Sequence, residues 1–511
     1  MPQRMEVEFT FKRSEAPAST YGRNSAMRIL MLGDFSGRGQ REPQEMVARL
    51  RDQPLLAVDV DTLDAVLTRL APSLQLAVGE QAGAQIHIDF RSLDDFHPLV
   101  LYRRLPLFQY LRQLRARLLD PASFTQAAAE LGMESTISQP PPAAQDKPSV
   151  PEDDAGLIER LLGRRPLSSP RDPAARPAGV DISRLIRTLV QPYIVPAPDS
   201  RQEQLVAGVD QIVGGQLRAL LHQPDFQALE AVWRSVHKLV TTLVTGEALQ
   251  LYLLDVTHAE LLADFHAAGG DVPASALYRL LVETEQDIAG GRPWSLLIGN
   301  YDFGTAAEDI ALLTLLGTLG AQAGAPFLAE ARCETLGCTS LTDAADPVAW
   351  KPLEREAGQR WRTLRASPIA PWLGLALPRL LLRLPYGEKT DPVEGFDFEE
   401  MPSGPDRGAL LWGNPACACA LLLGQAFLDH GWSAPLDAYR ELADLPAYTY
   451  READEIQLQP CAEVLLGERA ATAILDRGIM PFLSYRRRNA ARLLRWQSLA
   501  DPPTPLAGPW T

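Results

Sequence analysis

Cysteine, histidine and long apolar segments are all scarce in this sequence. Its five cysteines show no spacing typical of a disulfide framework, which favours a reducing compartment. No stretch reaches the ~18 uninterrupted apolar residues of a membrane-spanning helix. The longest apolar segment, 409–423, contains Asn, Pro and Gly, and the charged, alternating residues 1–13 do not resemble a signal peptide. We therefore expect a cytoplasmic protein without direct membrane insertion.

Positive charge is also in short supply. The chain carries 49 Lys and Arg against 64 Asp and Glu, a formal net charge of −15. Nucleic-acid binding requires basic surfaces that neutralise phosphates, and binding to anionic membranes requires basic segments. We therefore expect no nucleic-acid partner. With 46% apolar and 22% charged residues, the chain is instead typical of a folded protein, and 511 residues are too many for a single core.

Proline marks the main division of the chain. Twelve of the 42 prolines lie in residues 139–198, where fixed φ angles and missing donors disfavour helix and sheet. We predict a first block at 1–132, a Pro-rich linker at 133–179, a second block at 180–500 and a Pro-rich tail at 501–511. We also predict one short amphipathic helix in the linker, a candidate partner-binding helix whose apolar face holds Leu157, Ile158, Leu161 and Leu162.

Both blocks alternate between strand and helix patterns, which predicts a mixed α/β fold. In the first block, 28–32 and 85–90 read as strands, 61–70 as a helix capped by Asp61, and 106–119 as an amphipathic basic helix. In the second block, 202–222 and 224–244 read as helices. Residues 250–254 and 294–298 read as buried strands, and 373–383 as an apolar segment interrupted by Pro378.

A glycine-bearing turn from Gly33 to Gly39 is the main candidate for an anion site. Closely spaced glycines let backbone amides converge on a phosphate. The turn lacks the lysine and Ser/Thr of a phosphate-binding loop and misses the dinucleotide spacing, so a structural turn is favoured. An enzyme using this turn remains an alternative, although no histidine lies near a serine or cysteine in a nucleophile context.

Two cysteine pairs are the candidates for a metal site. Cys417 and Cys419 are too close in sequence for a typical zinc pair, and Cys333 and Cys338 only reach the upper end of that spacing. Cys417 and Cys419 also lie in an apolar segment, where free cysteine behaves as a small hydrophobe. We expect no metal, no cofactor and no catalytic residue.

Three charged residues stand among apolar neighbours in 379–400. Arg379 and Arg383 flank Leu380, Leu381 and Leu382, and Glu400 follows Phe398. Buried charges must be paired. We therefore predict a buried ion-pair network of Arg379, Arg383 and Glu400 that positions Trp412.

Several motifs resemble the two subunits of the type VI secretion contractile sheath. The segments 31–37 (MLGDFSG) and 90–96 (FRSLDDF) are similar to the small subunit. The segments 222–227 (HQPDFQ) and 297–303 (LIGNYDF) are similar to the large subunit. The densest similarity to the large subunit covers these segments: 375–379 (LALPR), 383–387 (RLPYG), 396–400 (FDFEE), 411–414 (LWGN) and 430–432 (HGW).

The resemblance implies two sheath-subunit-like blocks packed as one body with a non-catalytic, structural role. It also implies as partners other sheath subunits, a hexameric inner-tube protein, baseplate components and a ring ATPase. Residues 5–11 alternate between apolar and polar side chains and form a candidate inter-protomer strand, with Met5, Val7, Phe9 and Phe11 on one face. A component of another contractile, phage-tail-like particle is the alternative.

The chain departs from the resemblance in two ways. The small and large subunits are normally separate chains and are fused here, and the large-subunit part is expected to be truncated at its C-terminal end. The tail carries Pro502, Pro503, Pro505 and Pro509, which cannot donate to a strand ladder. We therefore expect the isolated protein to form small particles and not long tubes, as a true sheath component or as an accessory that caps or adapts a sheath.

Overall fold

A computed structural model describes residues 25–40, 50–77, 85–133, 201–283, 292–452 and 455–510. Two predicted features lie outside these residues. They are the strand of Met5, Val7, Phe9 and Phe11 and the linker helix of Leu157, Ile158, Leu161 and Leu162. Both remain predictions.

The described residues form a mixed α/β fold, as the sequence predicts. The helices are α1 (Leu63–Leu70), α2 (Pro98–Arg104), α3 (Gln109–Leu119), α4 (Phe124–Met133), α5 (Arg201–Leu221), α6 (Pro224–Thr242), α7 (His258–Ala267), α8 (Ala276–Tyr278), α9 (Ala307–Ala323), α10 (Arg355–Arg365), α11 (Pro415–His430) and α12 (Glu468–Asp476). The strands are β1 (Met27–Gly33), β2 (Leu56–Val58), β3 (Ser73–Ala77), β4 (Gln85–Asp89), β5 (Leu249–Asp255), β6 (Leu296–Phe303), β7 (Phe327–Ala331), β8 (Leu373–Leu377), β9 (Leu380–Leu381), β10 (Trp412–Gly413), β11 (Glu441–Leu442), β12 (Thr449–Glu452), β13 (Glu455–Leu458), β14 (Ile479–Ser484) and β15 (Ala491–Leu493).

One large sheet organises the fold. Within the described ranges it has nine strands in the order β11-β15-β14-β8-β7-β6-β1-β5-β2. The strands from β14 to β5 are parallel to their neighbours, while β2, β11 and β15 pair antiparallel at the two edges. β1 belongs to the first block, yet it lies between β5 and β6 of the second block. The two blocks therefore share a single sheet.

The sequence of β1 suits this interior position. All seven of its residues are buried, which is typical of a parallel strand covered on both faces. Successive side chains of a strand point to opposite faces. Ile29 and Met31 accordingly enter the core on one face, and Leu30 and Leu32 enter the core on the other. Helices α3, α5, α6 and α11 cover the first face, and α7, α9, α10 and α12 cover the second.

Two local predictions in the first block need correction. The helix predicted at 61–70 begins at Leu63, and its N-cap is Thr62, not Asp61. The carboxylate of Asp59 accepts hydrogen bonds from the amides of Asp61 and Thr62, so it holds the turn before the helix. The helix predicted at 106–119 is a short 3-10 turn, Pro106–Phe108, followed by α3.

Candidate functional site

The junction between the two blocks begins with the backbone of β1. The Met27 amide donates to Ala248 at 2.8 Å, and the Val256 amide donates to Gly33 at 2.9 Å. On the other side of the strand, the Ser295 amide donates to Arg28 at 2.9 Å. The first two bonds extend the β1–β5 ladder beyond its two ends, and the third extends the β1–β6 ladder. The junction is therefore a continuous sheet and not an interface between two separately folded domains.

The turn from Gly33 to Gly39 binds carboxylates of the same chain. The amides of Phe35 and Ser36 donate to Asp255 Oδ1 at 2.8 and 3.1 Å. The amides of Arg38 and Gly39 donate to the two carboxylate oxygens of Asp34, at 3.0 and 2.8 Å. These four donors are the ones that a phosphate would need, and the fold already uses them. The geometry therefore supports the structural turn and not the anion site.

The Arg38 side chain of the first block forms ion pairs with carboxylates of the second block. Its guanidinium binds both carboxylate oxygens of Glu260 at 2.9 and 2.8 Å, and it also contacts the Asp255 carboxylate. Asp255 and Glu260 are each only 4% exposed, so Arg38 provides the compensating charge for two buried acids. Glu260 also completes a capping box with Thr257 at the start of α7. The turn thus joins β1, β5 and α7.

Phosphate and ATP are not expected to stabilise this protein specifically, because the amides of the turn already have carboxylate partners. A thermal shift assay should show the same melting temperature with ATP, with inorganic phosphate and with a chloride salt of equal ionic strength. A concentration-dependent rise with ATP alone would contradict this prediction.

Aromatic side chains reinforce the junction. Phe90 and Phe96 of the first block stack with ring centroids 4.2 Å apart. Phe226 of α6 meets both rings edge-on at 5.8 and 5.6 Å. The Trp233 indole N–H donates to the carbonyl of Phe35 at 2.9 Å, which ties α6 to the turn after β1. The motif around Phe90 and the motif around Phe226 therefore meet in one core.

A buried charge network lies beside this core. Arg383 donates to Glu230 Oε1 through Nε at 2.7 Å and to Glu400 Oε2 through Nη1 at 2.7 Å. Arg234 also binds Glu230 at 2.7 Å, and its Nη2 lies 2.9 Å from the Tyr386 hydroxyl. Glu230 is 0% exposed, Glu400 1% and Arg383 8%. The positive charges of two arginines thus compensate the negative charges of two glutamates.

The network also contacts the first block. The ring of His97, at the N-cap of α2, meets the ring of Tyr386 edge-on at 4.9 Å. The Arg383 guanidinium lies 4.3 Å from the centre of the same Tyr386 ring. Burial lowers the pKa of His97, so its imidazole tends to be neutral beside the arginines. Tyr386 therefore links the charge network to the first block through contacts on its ring.

Arg379 lies outside this network. Its guanidinium binds both oxygens of Glu463 at 2.7 and 2.6 Å, and its side chain is 41% exposed. The structure therefore brings Arg383 and Glu400 together and separates Arg379 from them. Trp412 donates its indole N–H to the Arg407 carbonyl at 2.8 Å and pairs with Leu381 across β9 and β10. None of the three predicted residues holds the Trp412 indole by a described hydrogen bond.

Glu400 makes stability depend on pH in the acidic range. Burial opposes its ionisation, but the Arg383 guanidinium, the nearby His222 side chain and the Tyr386 amide outweigh this effect and lower the pKa of Glu400 from 4.5 to about 2. A folded-state pKa below the ordinary value contributes stability above pH 4.5, and this contribution is lost as the pH falls towards 2. The contribution is roughly 3 kcal/mol.

We expect Glu400→Gln to be less stable than the native chain at pH 7 and to approach it as the pH falls. Chemical unfolding at a series of pH values measures this gap. A gap that stays constant from pH 7 down to about pH 2 would show that the Glu400 charge does not contribute.

The cysteines occupy apolar surroundings. Cys417 and Cys419 are buried in α11, and burial raises the pKa of Cys417 to about 12. The Cys338 amide donates to the Cys333 carbonyl at 3.2 Å, and burial raises the pKa of Cys338 to about 12. These thiols therefore remain protonated at neutral pH. Among the described residues, no group of three or more His, Cys, Asp or Glu side chains is placed to hold a metal ion.

Comparisons with known proteins match both blocks. Residues 203–500 match the family described as VipB: EvpB/VC_A0108, tail sheath N-terminal domain. The chain belongs to this tail sheath family. Residues 2–139 match the family described as type VI secretion system, VipA, VC_A0107 or Hcp2. One polypeptide thus combines two families, and in the sheath-family fold described above the VipA-like part contributes β1 to the sheet of the VipB-like part.

One relative of this tail sheath chain is the type VI secretion system sheath protein TssC1 of Pseudomonas aeruginosa. The two are 32% identical over 308 residues, which is 59% of this chain and 61% of the relative. The chain therefore spans about three fifths of the length of that relative. None of the helices in the described part of the chain combines the length and the apolar character that crossing a membrane requires.

Sequence reasoning missed Glu230, Arg38 and Asp255 as parts of the junction. For Glu230 a signal existed. It lies one turn after Phe226 and just before Trp233 on the apolar face of α6, where a carboxylate requires a buried cation. Arg38 and Asp255 are 217 residues apart in sequence and carry no local signal.

Proposed function

We propose that this protein is a structural component of a type VI secretion contractile sheath, in which one polypeptide provides both subunit parts. The observation that carries this proposal is the position of β1. A VipA-like strand lies inside a sheet, between β6 and β5, and the other parallel strands of that sheet belong to the VipB-like block. The proposed unit is thus one packed body that combines both subunit parts and not two domains joined by chance.

Fusion has a physical advantage in such a unit. Two separate subunits must meet before either can complete its core, whereas a tether raises the effective concentration of the partner. The fused chain also fixes the ratio of the two parts at one to one. Within this proposal the partners are other sheath subunits, an inner-tube protein, baseplate components and a ring ATPase, and the compartment is the cytoplasm.

A non-catalytic role is part of the proposal. The turn from Gly33 to Gly39 directs four amides at carboxylates of the same chain. The buried charges of Arg383 and Glu400 are paired within the core. In this proposal the turn and the charge network are structural parts of the fold.

Sheath pelleting tests the proposed function. In cells that make this chain with an affinity tag, contracted sheaths are sedimented from a lysate and the pellet is probed for the tag. We expect the tagged chain in the sheath pellet, together with other sheath subunits, and in the supernatant when sheath assembly is blocked genetically. Sheaths that pellet while the tagged chain stays in the supernatant would contradict the proposal.

A further inference from the structure

Three consecutive arginines form the turn between β14 and β15. Arg486, Arg487 and Arg488 are all exposed, and Asn489 completes the turn. Arg488 binds Glu441 of the edge strand β11, and Tyr485 donates to the same carboxylate at 2.7 Å. In the part of the chain that the structure describes, neither Arg486 nor Arg487 has an ion-pair partner. We call this group, Arg486 to Arg488, the arginine turn.

The arginine turn is unusual in a chain with a net charge of −15. An exposed cluster of like charges repels itself, and the edge strand beside it offers the single carboxylate of Glu441. Arg492 of β15 stands opposite Glu441 in the ladder and adds a further exposed cation. This edge of the sheet therefore has cations left over for an external acidic partner.

The opposite edge of the same sheet has the complementary charge. Among the described strands β2 is the last one there, and the turn and helix that follow it carry Asp59, Asp61 and Asp64. Asp61 and Asp64 are exposed, and Val60 between the first two is 59% exposed. We call Asp59, Asp61 and Asp64 the acidic corner. Arg69, at the far end of α1, lies more than one helical turn away along the chain.

We infer that the arginine turn of one copy docks on the acidic corner of a second copy of this chain. Because the two surfaces lie at opposite edges of one sheet, the contact is head-to-tail and leaves both outer surfaces free for further copies. Such a contact builds rings or short rows, which is the geometry that a sheath subunit requires. The inference rests on the proposed function, because a contact between copies matters in an assembly. The observation that supports it is the opposite charge of the two sheet edges.

Charge reversal in the full-length chain tests the contact. A single exposed ion pair contributes little to binding, so at least two must change together. Arg486→Glu with Arg487→Glu makes both edges acidic, and Asp61→Arg with Asp64→Arg makes both edges basic. Each double variant should lose self-association, whereas a mixture of the two should regain it, because each basic surface again meets an acidic one.

Sedimentation velocity provides the measurement. The native chain should associate at about 0.1 M salt, where charges act over about 10 Å, and dissociate at about 1 M, where they act over about 3 Å. Each double variant should weaken association at least about tenfold at the lower salt, which corresponds to two exposed ion pairs. Arg355→Glu with Arg451→Glu, two exposed sites on other elements with the same charge change, is the control.

The outcomes separate this contact from the proposed function. A native chain that stays monomeric at low salt, a control variant that weakens association equally, or a mixture that fails to regain it would overturn the contact. Tagged chain found in sheath pellets with either double variant would also overturn it, while leaving the sheath role intact. A different result would be a chain whose self-association depends on salt and is lost on charge reversal, but which never enters sheaths. That result would support the contact and contradict the proposed function in a sheath.

Discussion

Replacing Arg383 with alanine is expected to destabilise the protein by about 3–5 kcal/mol, the range for breaking a buried ion pair. The substitution leaves Glu230 and Glu400 buried without their shared cation, and their charges then repel each other. Burial alone would disfavour the Arg383 charge, but Glu230 and Glu400 outweigh it and raise its pKa well above the ordinary value. Chemical unfolding of both proteins at pH 7 measures the loss.

Two comparisons identify the cause of that loss. Arg379→Ala removes a 41% exposed partner of Glu463, which is also the cation 3.8 Å from Glu330, and it is expected to cost less than Arg383→Ala because water reaches the Arg379 side chain. Adding Glu400→Gln to Arg383→Ala removes the carboxylate that has lost its arginine and should restore part of the stability, whereas Glu230 keeps Arg234 as a partner. If Arg383→Ala melts like the native protein, or if this glutamine restores nothing, the charge network does not stabilise the core.

A second block produced alone, as residues 201–510, is expected not to reach a stable native fold. Without β1, strands β5 and β6 lose their shared neighbour, and Ile29, Leu30 and Met31 leave cavities in the cores on both faces. Truncating one such side chain costs about 2–5 kcal/mol, whereas a whole domain is stable by only about 5–15 kcal/mol. The isolated block should therefore be insoluble or lack a cooperative unfolding transition.

Producing residues 1–139 in the same cell as a separate chain should restore a soluble complex of the two parts. A single substitution in the full chain provides an independent check. Leu30→Asp places a charge in the second core and should prevent folding, whereas Val244→Asp at a 78% exposed position should not. An isolated second block that unfolds cooperatively would contradict the shared sheet.

The elements of this fold were largely visible in the sequence, because apolar runs and helical periodicity are local signals. The segments around β1, β5 and β6 were each predicted as strands. Their order in the sheet was not, since three apolar runs of similar composition do not reveal which one lies in the middle. The decisive pairing joins Leu30 with Tyr252 and Leu297, more than 200 residues away in the chain.

The charge network shows the same limit on a smaller scale. Arg383 and Glu400 are 17 residues apart and were grouped correctly as neighbours because both stand among apolar residues. Arg379 has the same local surroundings, yet it binds Glu463, because the short strand β9 separates its position from that of Arg383. The second carboxylate of the network, Glu230, is 153 residues from Arg383, and only its place on the apolar face of α6 indicated burial.

The most direct test of a fused sheath unit is an electron cryomicroscopy reconstruction of sheaths isolated from cells that make this chain. The account predicts repeating units in which β1 lies between β5 and β6 and in which the Arg383 network and the turn from Gly33 to Gly39 are both present in density. Sheaths built only from separate small and large subunits, with no density for this chain at any position, would contradict it.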